Sequence, residues 1–394
     1  MIQYLKRHCP VCGEKTLVIF FELKNVPVHC NLLWKTRDAA LNCPKGDIKL
    51  AFCNNCTYIF NLEFQPALLE YSQSYDSSLH FSPYFKGYAS LLAASLIEKY
   101  DLYDKDIIEI GSGKGYFLSL LCKLGNNRGI GFDPSFSGQQ RIDKITQIKF
   151  IQDYYSEKYN NYQADLIVSR HVLEHIPDPK NFLKIIRRVI GEHTQTRLYF
   201  EVPNALKTIR RLFIWDIIYE HYSYFTSISL RHLFSICGLD INKISENYEG
   251  QFLGIEAEPN MQKKSFFLSN QKNGVKKISD NIASFFKKYQ HRIEKCKQKL
   301  NEIENKKQRV VLWGAGSKGV TFLNAFKNSQ IKYAVDINPN KQGMYIPGTG
   351  QIIVQPKFLQ EYKPNVIIIM NPIYKNEIKK ITLELGINSN FVFA

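Results

Sequence analysis

The chain has no apolar run long enough to cross a bilayer. Its longest such stretches, "TLVIFFEL" and "NVIIIM", fall far short of the roughly 20 residues a spanning helix needs. It also has no dense block of like charge. The net charge of +16 suits nucleic acid, a membrane surface or acidic small molecules. Yet the most basic stretch, "KKISDNIASFFKKYQHRIEKCKQKL", carries acids as well, so the excess reads as charge spread over a solvated surface. No stacking motif or basic stripe of an RNA-binding module is present. The start "MIQYLKRHCPVCG" reaches cysteines without the apolar segment of an export signal. These absences predict a cytoplasmic protein with neither membrane nor nucleic acid as partner. There, cysteine pairs are thiols or metal ligands rather than disulfides.

What is present is a globular composition, 44% hydrophobic over 394 residues, too long for one core and right for two or three domains. Six of the nine cysteines lie in the first 60 residues. Two tight pairs stand out, "CPVC" (Cys9 and Cys12) and "CNNC" (Cys53 and Cys56). Each pair lets two thiolates reach one tetrahedral ion, and two pairs complete a structural zinc site; separate reduced thiols are the alternative. With four protein ligands the ion has no open position, and it would staple a domain with little core of its own.

Residues 61–105 read as mostly helical, with a polar and aromatic loop, "YSQSYDSSLHFSPYF", ahead of the main helix. From 106 the chain alternates apolar strands with helices: "DIIEIGSGKGYFLSLLCKLG", "RGIGFDPS", "IKFIQDYY", "ADLIVSRHVLEHI" and "RLYFEVPN". That alternation predicts a doubly wound sheet with ligands at the carboxyl ends of its strands. Gly111, Gly113 and Gly115 follow the first strand and open a helix. The second strand ends in Asp133, an acid placed to bond two ribose hydroxyls. A polar helical stretch over 258–308 with apolar residues at three- and four-residue spacing has one packing face. A second alternating unit then opens on "WGAGSKG", with Gly314, Gly316, Gly319 and, farther on, Asp336. Its spacing fits NAD binding, a domain that closes over a substrate, or a turn kept for packing.

The order "EIGSGKGYFL…GIGFDPS…FIQDYY…VLEHIPDP" resembles the class I S-adenosylmethionine methyltransferases; a Rossmann fold for another nucleotide is the alternative. The resemblance implies that Glu109 and the Gly111, Gly113 and Gly115 turn lie under the methionine and ribose of S-adenosylmethionine. It gives the ribose to Asp133, with Pro134 beside it, and the adenine amino group to Asp153, with Tyr154 beside it. His171 then faces the sulfonium.

The complete layout adds the four-cysteine module, the segment "DIIYEHYSYFT" and the glycine turn of the tail. It resembles the sugar C-methyltransferases that act on nucleotide-linked 4-keto-6-deoxysugars, over nearly the whole chain. The implied division is α/β: a zinc-binding domain at 1–65, a methyltransferase domain with a Rossmann-like core at 66–260, a helical connector at 261–308 and a Rossmann-like domain at 309–394. By that resemblance His221 is a general base, with Tyr219, Glu220 and Tyr224 as helpers. Tyr75, Asn204, Tyr222 and Lys318 contact the nucleotide-sugar; separately, three domains in one chain predict a monomer. Removing a proton beside a ketone suits an imidazole, and the enolate then needs hydrogen-bond donors at its oxygen. Three stretches depart from the family pattern: "NYEGQFLGIEAEP", where Gln251 stands and no arginine follows, "DPSFSG" and "MNPIYKNEI". Methylation of oxygen or nitrogen on another small molecule, a zinc-bearing RNA modifier and a two-cofactor enzyme binding NAD are the competing readings.

Overall fold

The computed structural model describes residues 3–69, 75–76, 78–136, 147–260 and 271–394. Residues 71–74 of the aromatic loop and 261–270 of the expected connector lie outside the described residues.

Three sheets organise the chain. The first takes β1 (Gln3–Lys6), β2 (Thr16–Pro27), β3 (Lys45–Cys53) and β4 (Ile59–Asn61) in antiparallel order, with the short helix α1 (Arg37–Leu41) between β2 and β3. Its two faces are both buried because side chains alternate along each strand. Phe52 and Ile59 join a core shared with the C-terminal sheet, whereas Tyr58 and Phe60 join one shared with the central domain.

The central domain begins with α2 (Pro83–Tyr100), which Ser82 caps by accepting the Phe85 N–H and which Pro83 opens in a compatible conformation. The helix ends at Tyr100, short of the expected 105, because Asp101 turns left-handed (φ 50°). Then come β5 (Asp106–Ile110), α3 (Tyr116–Gly125), β6 (Arg128–Phe132), β7 (Ile148–Ile151), β8 (Leu166–Arg170), α4 (Pro179–Ile190), β9 (Arg197–Pro203) and α5 (Ala205–Arg211). After β10 (Ser223–Tyr224) and α6 (Ser227–Ile236) the domain closes with β11 (Leu239–Asn247) and β12 (Phe252–Pro259). The sheet order is β11-β12-β9-β8-β5-β6-β7, antiparallel only at the β11-β12-β9 edge. Ile107 and Val168 point to the α2/α3 side, Ile108 and Ile167 to the α4/α6 side.

The two residues of β10 leave the central domain and pair with β4: Ser223 opposite Phe60 and Tyr224 opposite Ile59. The segment "YEHYSYF" is thus neither an ordinary core strand nor a surface turn. It is the seam between the first and second sheets.

The long helix α7 (Lys272–Asn305) buries Ile278, Ile282 and Phe285 against the first sheet and Leu300 and Ile303 near the third. The C-terminal sheet is wholly parallel: β13 (Val310–Trp313), α8 (Ser317–Ala325), β14 (Tyr333–Val335), β15 (Ile352–Val354), α9 (Leu359–Tyr362), β16 (Val366–Ile369), α10 (Lys375–Glu384) and β17 (Asn390–Phe393), in strand order β15-β14-β13-β16-β17. Among the described residues no helix is long and apolar enough to cross a membrane.

Candidate active site

The carboxyl ends of the central and C-terminal sheets face one cavity of about 720 Å³, which Asn31 and Tyr75 close from the side of the first sheet. Both glycine turns open into it. At Gly111 (φ 74°) a β-carbon would stand 2.1 Å from Val172 Cγ2, so only glycine lets β5 turn beside the chain that follows β8. At Gly319 a β-carbon would meet the Gly314 carbonyl oxygen at 2.0 Å, so the second turn is closed as tightly on itself.

In the central half, Asp133 accepts from the Gly113 N–H (2.7 Å) and from the N–H and hydroxyl of Ser135 (2.8 and 2.6 Å), which fixes its carboxylate at the end of β6. Glu109 is buried and accepts the Leu118 N–H at 3.0 Å. Burial pushes its carboxyl up to about 8, although Arg170 and that N–H favour the charged form. Pro134, Asp153 and Tyr154 also line the cavity. Asp153 is held by the Tyr154 N–H (2.8 Å), the Tyr159 hydroxyl (2.6 Å) and Lys158, and the Tyr154 ring is 60% exposed.

His171 takes a left-handed backbone (φ 57°) that turns its ring between two carboxylates, Nδ1 at 3.6 Å from Glu174 and Nε2 at 3.3 Å from Glu201. Burial disfavours its charged form, but the two carboxylates outweigh that and raise the imidazole to about 9. Arg170, itself buried, reaches Glu201 at 2.8 and 3.0 Å beneath it. This buried pair was not singled out in the sequence.

In the acceptor half, His221 is 9% exposed and lines the cavity. Burial, with His175, His171 and Lys318 nearby, holds its imidazole well below the usual histidine range, so it is neutral at pH 7. The rings of His175 and His221 meet edge to face at 5.1 Å. His175 Nδ1 donates to the Glu220 carbonyl oxygen at 2.9 Å, which fixes its tautomer because a carbonyl only accepts. Glu174, His175 and His221 each present a donor atom within 4.8 Å of the other two.

The neighbours of His221 in the sequence face elsewhere, which corrects the expectation that they act directly on a substrate. Among the cavity's lining residues there is no Glu220, Tyr219, Tyr222 or Tyr224. Glu220 accepts the Cys30 N–H at 3.2 Å and lies 3.7 Å from His29. Tyr219 stacks on Phe64, accepts from the Gln65 N–H (2.9 Å) and donates to the Glu63 carbonyl (3.3 Å). Tyr224 donates to the Ile218 carbonyl at 2.9 Å and accepts the Ile218 N–H at 3.2 Å, closing the turn that carries His221. Tyr222 packs on Phe60 and Phe64. Asn204 is likewise occupied elsewhere: it caps α5 through the Leu206 N–H and donates to the Gly250 carbonyl. Tyr75 and Lys318 do line the cavity, with Lys318 paired to Asp216.

The third sheet adds a residue that no motif flagged. Lys341 is 6% exposed, lines the cavity and lies against the second glycine turn; its ammonium donates to Asn31 Oδ1 (3.0 Å) and to the Ala315 carbonyl (3.4 Å). Far from the cavity, Cys9, Cys12, Cys53 and Cys56 bring their sulfurs within 4.8 Å of one another, with Cys9–Cys56 at 3.7 Å and Cys12–Cys53 at 3.5 Å. Cys30 lies apart from them against Glu220, and Cys43 is buried near α1.

A seven-stranded sheet of this order, with a glycine turn after its first strand and an acid ending the next, defines an S-adenosylmethionine-dependent methyltransferase of class I. Residues 84–244 match the methyltransferase domain family, and residues 259–393 match the C-methyltransferase C-terminal domain family. C-methyltransferase NovU from Streptomyces niveus is 23% identical over 391 residues, covering 94% of this chain and 90% of that one. The chain thus joins a methyltransferase domain to a segment similar to the C-terminal domain of C-methyltransferases. Among solved structures, magnesium protoporphyrin IX methyltransferase from Synechocystis PCC 6803 is 14% identical, covering 45% of this chain and 84% of that chain at a TM-score of 0.36. The 1,6-didemethyltoxoflavin-N1-methyltransferase of Burkholderia thailandensis is 13% identical, covering 52% and 96% at a TM-score of 0.35.

Proposed function

We propose that this enzyme methylates a carbon beside the ketone of a nucleotide-linked 4-keto-deoxysugar, with His221 as the general base. The observation that carries the reading is the placement of His221. It alone of the ionisable residues in "YEHYSYF" opens into the shared cavity, and its surroundings keep it neutral. Carbon next to a ketone is a nucleophile only after a proton is removed, and a neutral buried imidazole is suited to take it. S-adenosylmethionine supplies the electrophilic methyl. Glu109, the glycine turn and Asp133 bind it on the central side with His171 at its reactive end, so the base and the methyl group meet across one cavity.

The acceptor's anionic part is assigned to the C-terminal domain. Lys341 is buried there, and among the described residues no carboxylate pairs with it. It faces the turn that opens α8, whose N–H groups favour negative charge. A diphosphate answers both. The volume of about 720 Å³ is at the upper end of small-molecule pockets, as two ligands require. All three parts of one chain close the cavity, which supports a monomer as the working unit.

We also assign a zinc ion to Cys9, Cys12, Cys53 and Cys56. Sulfur–sulfur separations of 3.5 and 3.7 Å match those on a tetrahedron with bonds of about 2.3 Å. Four thiolates leave no open position, so the ion holds the fold and takes no part in the reaction.

The test is mass spectrometry of the reaction with S-adenosylmethionine and a dTDP-4-keto-6-deoxyglucose pool in deuterated water. The product is expected to gain one methyl and to lose an exchangeable ring hydrogen, and His221→Ala is expected to remove both. A methyl gain with every ring hydrogen retained assigns the transfer to oxygen or nitrogen and removes this reading.

A further inference from the structure

The proposed base has a problem that its own neighbourhood poses. An imidazole enclosed by burial and by the cations around it resists becoming an imidazolium, so the proton it removes needs a destination close by. Cavity, burial and chain geometry all indicate the same group. Glu174 is 1% exposed, yet it lines the cavity. It lies in the short turn Leu173–His175 that follows β8, which sets it between the cofactor's end of the cavity and the acceptor's end. One oxygen, Oε1, faces His171 at 3.6 Å. The other, Oε2, is buried with no hydrogen-bond partner among the described residues, and so is Nδ1 of His221. A buried carboxylate oxygen and a buried ring nitrogen without partners are costly unless a ligand or a proton completes them. Here the two residues belong to one cluster, in which a carboxylate oxygen of Glu174 and a ring nitrogen of His221 lie within 4.8 Å of each other.

We propose that Glu174 is the proton acceptor that works behind His221: it receives the proton that His221 takes from the substrate carbon. The inference rests on the C-methylation reading above. The bookkeeping of the step is closed. The C–H bond breaks, its electron pair stays on the substrate as the enolate, and the proton moves to His221 and then to Glu174 Oε2. The enolate's electron pair forms the new C–C bond with the methyl group while the C–S pair leaves on sulfur as S-adenosylhomocysteine. Glu174 gives the proton to solvent when the cavity opens. His175, with Nδ1 committed to the Glu220 carbonyl, holds the His221 ring edge to face and is left out of the proton path.

The experiment follows the exchange of substrate ring hydrogen with deuterated water in the complete enzyme loaded with S-adenosylhomocysteine, where no methyl can move. Glu174→Gln keeps the shape and removes the base. It is expected to slow exchange on the order of a hundredfold, the scale of one general base, while S-adenosylhomocysteine affinity stays within threefold. Glu174→Asp is expected to restore at least a tenth of the rate, which a merely structural carboxylate would not do. Exchange by Glu174→Gln within fivefold of the unchanged enzyme overturns the inference. So does a joint loss of exchange and of cofactor-product binding that Asp fails to rescue. His221→Ala in the same assay separates the two ideas. If it abolishes exchange while Glu174→Gln does not, the base reading stands and the relay falls. If it exchanges normally, or if the unchanged enzyme shows no exchange, the base reading falls and takes the relay with it.

Discussion

Glu109 is the next-to-last residue of β5, just ahead of the first glycine turn, with its carboxyl buried at the cavity wall and Arg170 as a cation acting on it. Burial raises it to about 8 in the free enzyme, so at pH 7 most molecules carry it protonated. The methionine ammonium of the bound cofactor favours the charged form. In the proposed complex, binding is therefore expected to lower this pKa and expel a proton. The sign follows from linkage: affinity for S-adenosylmethionine should strengthen as pH rises from 6 to 8 and level off above 8. Titration calorimetry at pH 7 in two buffers of different ionisation enthalpy should show close to one proton released, and Glu109→Gln should release none. Equal heats in both buffers would remove Glu109 from the cofactor's first contacts. Much of this half of the site was legible as sequence, because a glycine turn and the acids that flank it are bound by local backbone geometry. Glu174 was not. It stands inside the quoted "HVLEHI", but only the short turn after β8 and the packing of "YEHYSYF" across from it bring the carboxylate to His221.

At the scale of elements, two of the three stretches that depart from the family pattern, "NYEGQFLGIEAEP" and "MNPIYKNEI", touch each other. Tyr248 and Gln251 lie between β11 and β12; Asn371 and Tyr374 follow β16. Gln251 Nε2 donates to Asn371 Oδ1 (3.1 Å), Asn371 Nδ2 donates to Gln251 Oε1 (3.0 Å), and the Tyr248 hydroxyl donates to that of Tyr374 (2.7 Å). All four line the cavity, so this clasp both joins the domains and shapes the acceptor's wall. Each neutral bond contributes about 0.5–1.5 kcal/mol. A double-mutant cycle on Gln251→Ala and Asn371→Ala, read in the acceptor's KM, should give a coupling of about 1 kcal/mol, with S-adenosylmethionine affinity unchanged. Additive effects would mean that the pair acts only as separate surfaces. Sequence periodicity found the strands and helices that flank the clasp, but not the clasp, since its two halves lie 120 positions apart. The same holds for β10: two residues carry no period, and their strand exists only because β4 offers an open edge.

The whole molecule links its most distant features through that edge. The "CNNC" knuckle joins β3 to β4, and the residues just after it grip the far side of the seam: Thr57 Oγ1 lies 2.6 Å from Thr226 Oγ1, and the Tyr58 hydroxyl 2.5 Å from Ser223 Oγ. Ser223 is two residues from His221. The cysteine cluster therefore never reaches the cavity, but it fixes the strand from which the proposed base projects. Where binding of a structural metal is itself folding free energy, removing it loosens the knuckle first. Stripping the ion with a chelator, or Cys53→Ser, should then lower the midpoint of thermal unfolding by several degrees, as a loss of a few kcal/mol does in a chain of this size. Ring-hydrogen exchange and methyl transfer should fall by at least tenfold, while S-adenosylmethionine affinity, which the proposal assigns to Glu109 and Asp133, should stay within about threefold because those residues are not part of the seam. Metal content by mass spectrometry, calorimetry and the exchange assay on one preparation check the three parts together. A metal-free protein that still exchanges ring hydrogen at the full rate would show that β4 holds β10 without the ion, and that the four cysteines serve the first sheet alone.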